Sequence, residues 1–141
     1  AASAGDDFPA PALAGLGGSV EFFARHGPLL RAIAEAAATD EQVERGYQQL
    51  RQAFIEMTTA TLDRLTASGQ LKVPDTRAMA RALNLMNESF LLEEFGRHPA
   101  PGQERPVSDP ETVLATLQTI WLRVLRPPVP PQPAKALPPS D

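Results

Sequence analysis

The chain contains no cysteine. Disulfides, thiolate metal sites and cysteine nucleophiles are thereby excluded. Aromatic residues make up only 6%, with a single tryptophan and a single tyrosine, and histidine occurs twice. No apolar run approaches the ~20 residues needed to span a bilayer, and no signal-peptide pattern opens the chain. The cytoplasm is the compartment expected from this. There is also no excess of positive charge. The net charge is −4, with Arg and Glu interspersed, so the basic face by which a module grips phosphates is missing. β-branched residues are few, whereas alanine is abundant and Gly and Pro cluster at ends and turns. With 43% hydrophobic residues in 141, the chain suits one globular domain with a genuine core. The balance predicts an all-α fold.

Hydrophobic periodicity divides the chain into about five helices. Residues 1–11 read as a linker or frayed start. Leu13, Leu16, Val20 and Phe23 form one apolar stripe, predicting a helix over about 10–26. His26-Gly27-Pro28 reads as a break, with Pro28 opening a short second helix over about 28–38. Asp40 is a good N-cap for the longest helix, about 41–68. There Val43, Tyr47, Leu50, Phe54, Met57, Thr61 and Leu65 recur in steps of four and three. At 1.5 Å per residue this helix would run ~42 Å, and Gly69 is its natural terminator. Asp75 caps a fourth helix over about 76–95, and Asp109-Pro110 opens a fifth over about 110–126. Residues 96–108 form a Pro/Gly-rich loop. From Pro127 the tail carries seven prolines in fifteen residues and reads as extended or disordered.

The stretch Arg81-Ala82-Leu83-Asn84-Leu85-Met86-Asn87-Glu88 is the most informative. Asparagine is a mediocre helix former, yet Asn84 and Asn87 stand at i and i+3, aimed the same way inside an apolar helix. Buried without partners, each would cost on the order of 1–3 kcal/mol. Two readings stay open from the residues alone: a structural hydrogen-bond network, or the polar end of a ligand pocket. Phe54, Met57 and Trp121 read by helical spacing alone as core. The helix over 76–95 is apolar round most of its circumference, leaving only Ala82, Ser89 and Glu93 as a mild sector. Such a helix is buried on more than one side, which points to a partner subunit.

Catalytic signatures are missing. No Gly-x-Ser-x-Gly elbow, Gly-rich phosphate loop or His-x-x-x-His pair occurs. His26 and His98 sit beside turn-forming residues and read as turn or surface positions. Glu93 and Glu94 point in different directions on a helix. Only Glu88 is titratable near the asparagines, so neither an enzyme, a metal site nor a cofactor site is expected.

The order of elements resembles the C-terminal ligand-binding and dimerisation domain of TetR-type transcriptional regulators. The stretch from Ala82 to Glu88, the later Ile120-Trp121, and Phe54-Ile55-Glu56-Met57-Thr58-Thr59-Ala60 are similar to the EthR-like subgroup, the repressors of the ethionamide-activating monooxygenase. The resemblance covers about residues 12–125. It implies a long tunnel for a hydrophobic or amphipathic effector. Asn84 and Asn87 would be its polar anchors, with Glu88 near them. Phe54, Met57, Thr58, Phe23 and Trp121 would line its wall, and Leu92 would replace a family aromatic. Ala12 and Ser19 also fall where larger aromatics would be expected, and Phe54 and Met57 replace bulkier rings, which implies a wider or differently shaped tunnel. The last two helices would pair with a second copy in a four-helix bundle. DNA would be reached through an N-terminal helix-turn-helix module, no pattern for which can be fitted before Ala12. The competing reading is a stand-alone all-α dimeric interaction module without a ligand.

Overall fold

The computed structural model describes residues 10–97, 101–102 and 109–126. Four helices occupy them: α1 (Ala10–Ala37), α2 (Glu41–Ala67), α3 (Thr76–Phe95) and α4 (Pro110–Leu125). The expected linker over residues 1–9, His98 with most of its loop, the side chain of Ala12 and the Pro-rich tail lie outside the described residues.

The stop and start signals at Asp40, Gly69 and Asp75 act as the sequence predicts. Asp40 accepts hydrogen bonds from the Gln42 and Val43 amides, at 2.8 and 3.1 Å, satisfying donors that a helix start leaves free. Asp75 accepts from the Ala78 amide at 2.9 Å. At the end of α2, Gly69 takes φ +76°, the left-handed conformation that glycine adopts without strain. Its N–H donates to the Thr66 carbonyl and that of Gln70 to the Leu65 carbonyl, which closes a Schellman motif. Asp109 stands at the N-cap of α4 but makes no side-chain cap bond.

The break expected at His26-Gly27-Pro28 does not occur. The two predicted helices are one, and Pro28 lies inside α1. Proline within a helix costs ~3 kcal/mol, because it removes a backbone donor and its ring crowds the preceding turn. Tertiary packing offsets that cost. A Cβ on Gly27 would lie 2.2 Å from the Phe95 carbonyl oxygen and 2.5 Å from its carbon. Gly27 is there to let α1 touch the backbone at the end of α3, and it ends nothing. His26, expected in a turn, sits within α1, exposed, with its ring 5.2 Å from that of Phe22.

Helix α1 packs against each of the other three helices, and α2 packs against α3. The core joins Leu16 and Val20 of α1 to Ile55 and Leu62 of α2, Leu83, Leu91 and Phe95 of α3, and a run at fourfold spacing on α4: Val113, Leu117, Trp121 and Leu125. Burying each such aliphatic side chain stabilises the fold by about 1.5–3 kcal/mol. On α2 the buried side is Ile55 and Leu62. The stripe through Leu50, Phe54 and Met57 lies roughly a third of a turn away at 100° per residue and is exposed, Phe54 by 40% and Met57 by 68%. That corrects the expectation that Phe54 and Met57 are core.

Candidate functional site

The displaced stripe of α2 does not face bulk solvent on a smooth surface. It walls a divided cavity between α1, α2 and α3. A narrower chamber of about 70 Å³ is lined by Phe22, Phe23, Leu30, Leu50, Phe54 and Leu91, with Tyr47, Arg51 and Glu88 at its polar side. A wider one of about 360 Å³ runs along α2 past Met57, Thr58 and Thr61 to Arg64, with Trp121 of α4 on its wall. Ser19, Phe54, Asn84 and Asn87 line both chambers. The two asparagines therefore stand at the waist.

Both amides have protein partners, and those partners fix which way each amide is turned. The Asn84 side-chain nitrogen donates to the Ala80 carbonyl at 2.8 Å and to the Thr58 hydroxyl at 2.9 Å. A carbonyl can only accept, so the nitrogen must face it, and Asn84 Oδ1 is left without a protein donor. Asn87 is 8% exposed and accepts from the Trp121 indole N–H at 3.1 Å. An indole can only donate, so the Asn87 oxygen faces Trp121 and its Nδ2 is left over. No buried side-chain nitrogen or oxygen among the described residues lacks a partner. These two leftover atoms, one acceptor and one donor, therefore retain access to open space at the waist.

Glu88, expected only to lie near the asparagines, is fully engaged. Arg51 grips it in a fork, Nε to Oε2 at 2.9 Å and a terminal nitrogen to Oε1 at 2.7 Å. Tyr47 adds its hydroxyl to the same carboxylate, and the Arg51 guanidinium lies 5.1 Å from the Tyr47 ring centre. The pair is about four-fifths buried. Burial alone would push the Glu88 carboxyl up. The Arg51 bonds, then the Tyr47 bond, outweigh it and hold the carboxyl below its usual range. Tyr47 is pushed up to about 12, by burial first and then by donating to Glu88.

Of the residues singled out from the sequence, Asn84, Asn87 and Phe54 border both chambers, Phe23 and Glu88 the narrower, and Met57, Thr58 and Trp121 the wider. Leu92 borders neither. It lies half-buried on the outward side of α3, roughly 140° round the helix from Asn87 at 100° per residue. Sequence reading missed Arg51 and gave Tyr47 and Leu50 no role beyond a stripe. Arg51 and Glu88 stand 37 residues apart, and nothing local signals that they meet.

An all-α domain of four helices among the described residues is consistent with a TetR-type C-terminal domain. The family model for the transcriptional regulator EthR, C-terminal domain, matches residues 13–125, and the chain belongs to that family. Comparison with characterised proteins and with solved structures gave no match. No helix of the described residues is long and apolar enough to cross a membrane.

Proposed function

We propose that the divided cavity binds a hydrophobic or amphipathic small molecule, and that the domain is the effector-sensing, dimerising part of a repressor. One observation carries the ligand reading. Phe22, Leu50, Phe54 and Met57 are large apolar side chains left exposed, and all of them border one cavity system. Scattered exposed apolar residues need no explanation, but a contiguous set around a concave site marks an interaction surface. The free Asn84 oxygen and Asn87 nitrogen would orient an occupant carrying its own donor and acceptor, such as an amide, or an acceptor alone, such as an ester or ketone. Native mass spectrometry of the purified protein tests this by a co-purified lipophilic molecule. The reading fails if the protein is monomeric at micromolar concentration and no lipophilic compound in a panel raises its melting temperature.

The dimer reading draws on α3 and α4. On α3 the residues Ala78, Ala82, Leu85, Ser89 and Leu92 recur in steps of four and three, the period of a helix-pairing seam. Ala78, Ala82 and Ser89 are exposed, and Leu85 and Leu92 are half-buried. On α4 the exposed Thr116 and Thr119 donate their hydroxyls to the carbonyls of Thr112 and Ala115, each at 2.8 Å, so the face presents methyl groups. Both surfaces suit close packing against a second copy in a four-helix arrangement. Leu92 is then a seam residue. DNA would be bound by an N-terminal helix-turn-helix module, in the cytoplasm. Because α3 carries the asparagines on one side and the seam on another, a ligand that fits one dimer geometry better than another would shift the population between them. Titration of operator-length DNA with and without effector would measure that coupling.

A ligand-free interaction module is the second reading. The bonds from Asn84 to Thr58 and from Trp121 to Asn87 support it, since they give both asparagines a structural purpose. Catalysis is not proposed, because the ionisable groups bordering the narrower chamber are locked together.

A further inference from the structure

Among the described residues bordering the narrower chamber, only Arg51 and Glu88 carry charge at neutral pH. Their charges cancel, and the geometry leaves little of either for a guest. Glu88 receives both prongs of the guanidinium fork and the Tyr47 hydroxyl, while another Arg51 nitrogen donates to Gln48 at 3.3 Å. A carboxylate entering the chamber would have to compete with Glu88 for Arg51 and would be repelled by Glu88. An ammonium group would meet the mirror-image problem. Either would also lose its hydration beside a wall of Phe22, Phe23, Leu30 and Leu91, with no unspent opposite charge in return. An uncharged polar group escapes both penalties.

Resting on the ligand-binding reading above, we propose that the mutual neutralisation of Arg51 and Glu88 sets the charge preference of the narrower chamber. It restricts the narrower chamber to uncharged amphiphiles, such as long-chain alcohols, amides or esters, and rejects acids and amines of the same length. The two residues act as a matched set. Removing one charge leaves the other largely buried and unpaired, so the chamber becomes a receptor for the opposite ion. Glu88→Gln exposes a cationic Arg51 to an acid, and Arg51→Gln exposes an anionic Glu88 to an amine.

The test uses 1-decanol, decanoate and decylammonium as probes at pH 7.5, below their micellar concentrations, with calorimetric or fluorescence titration. The wild-type protein should bind decanol at least tenfold more tightly than either ion. In Glu88→Gln the decanoate affinity should rise at least tenfold and decylammonium should not gain. In Arg51→Gln the gains should reverse. The double variant Arg51→Met/Glu88→Leu removes the pair as a unit, a replacement that folded proteins tolerate well, and should keep the wild-type ranking. That variant provides an informative arm if a single variant fails to fold, because a gain for either ion in it overturns the proposal. An unchanged ranking in the single variants, or equal binding of decanol and decanoate by the wild type, overturns the charge rule while leaving the ligand-binding reading intact. Failure of every probe to bind the wild type overturns both.

Discussion

Trp121 of α4 donates its indole N–H to Asn87 of α3 at 3.1 Å. The bond ties the chain's single tryptophan to the waist of the cavity, and it fixes which atom of Asn87 is left for a guest. The opposite end of the amide, Nδ2, is left without a protein partner.

Removing the amide should reveal the structural share. Asn87→Leu orphans a buried indole N–H, which costs about 1–3 kcal/mol. In a Trp121→Phe background the orphan is absent, so the same change should cost less by about 1 kcal/mol or more. A chemical-denaturation double-mutant cycle measures this coupling. A coupling near zero would mean that the bond contributes nothing.

The contact between α1 and α3 makes Gly27 and Pro28 respond in opposite directions. Gly27→Ala drives a methyl into the Phe95 backbone and should destabilise by roughly 1–3 kcal/mol, the range for overpacking, because a backbone neighbour cannot rotate away. Pro28→Ala restores a helix donor and should stabilise, by at most about 3 kcal/mol. Thermal melts of the two variants decide the matter.

The pH dependence follows from the Tyr47–Arg51–Glu88 cluster. Glu88 titrates lower in the folded state than its ordinary 4.5. Its contribution is therefore complete above that value and is lost as pH falls through the lowered one. The melting-temperature gap between wild type and Glu88→Gln should shrink as pH falls from 6 towards 3. Tyr47 works on the alkaline side. Its rise from 10.0 to about 12 means stability that is intact below pH 10 and fades between 10 and 12, a loss that Tyr47→Phe should not show.

How much of this was legible in the sequence depended on the range of the signal. Asp40, Asp75 and Gly69 act within one turn of themselves, so the helix ends they set could be read directly. Asn84 and Asn87 share a face by spacing alone, and the structure does bring them to one place. His26-Gly27-Pro28 misled because the same tripeptide signals a turn or a close helix crossing, and the deciding neighbour, Phe95, lies far along the chain. The stripe through Phe54 and Met57 showed one-sidedness but not what it faced. Periodicity cannot tell a core wall from a cavity wall. The Arg51–Glu88 pair, joining two helices, was invisible for the same reason as the Phe95 contact. Leu92 was placed by resemblance alone, and it borders neither chamber.

Trp121 provides the most direct measurement of the central claim, since it is the only tryptophan and borders the wider chamber beside Asn87. Its emission should change saturably when the protein is titrated with a neutral amphiphile such as 1-decanol. The affinity should fall at least tenfold in Asn84→Leu, which removes the waist acceptor without touching the Trp121 bond. Emission that stays flat up to the solubility limit, together with a mass spectrum of the native protein bearing no small molecule, would contradict the account.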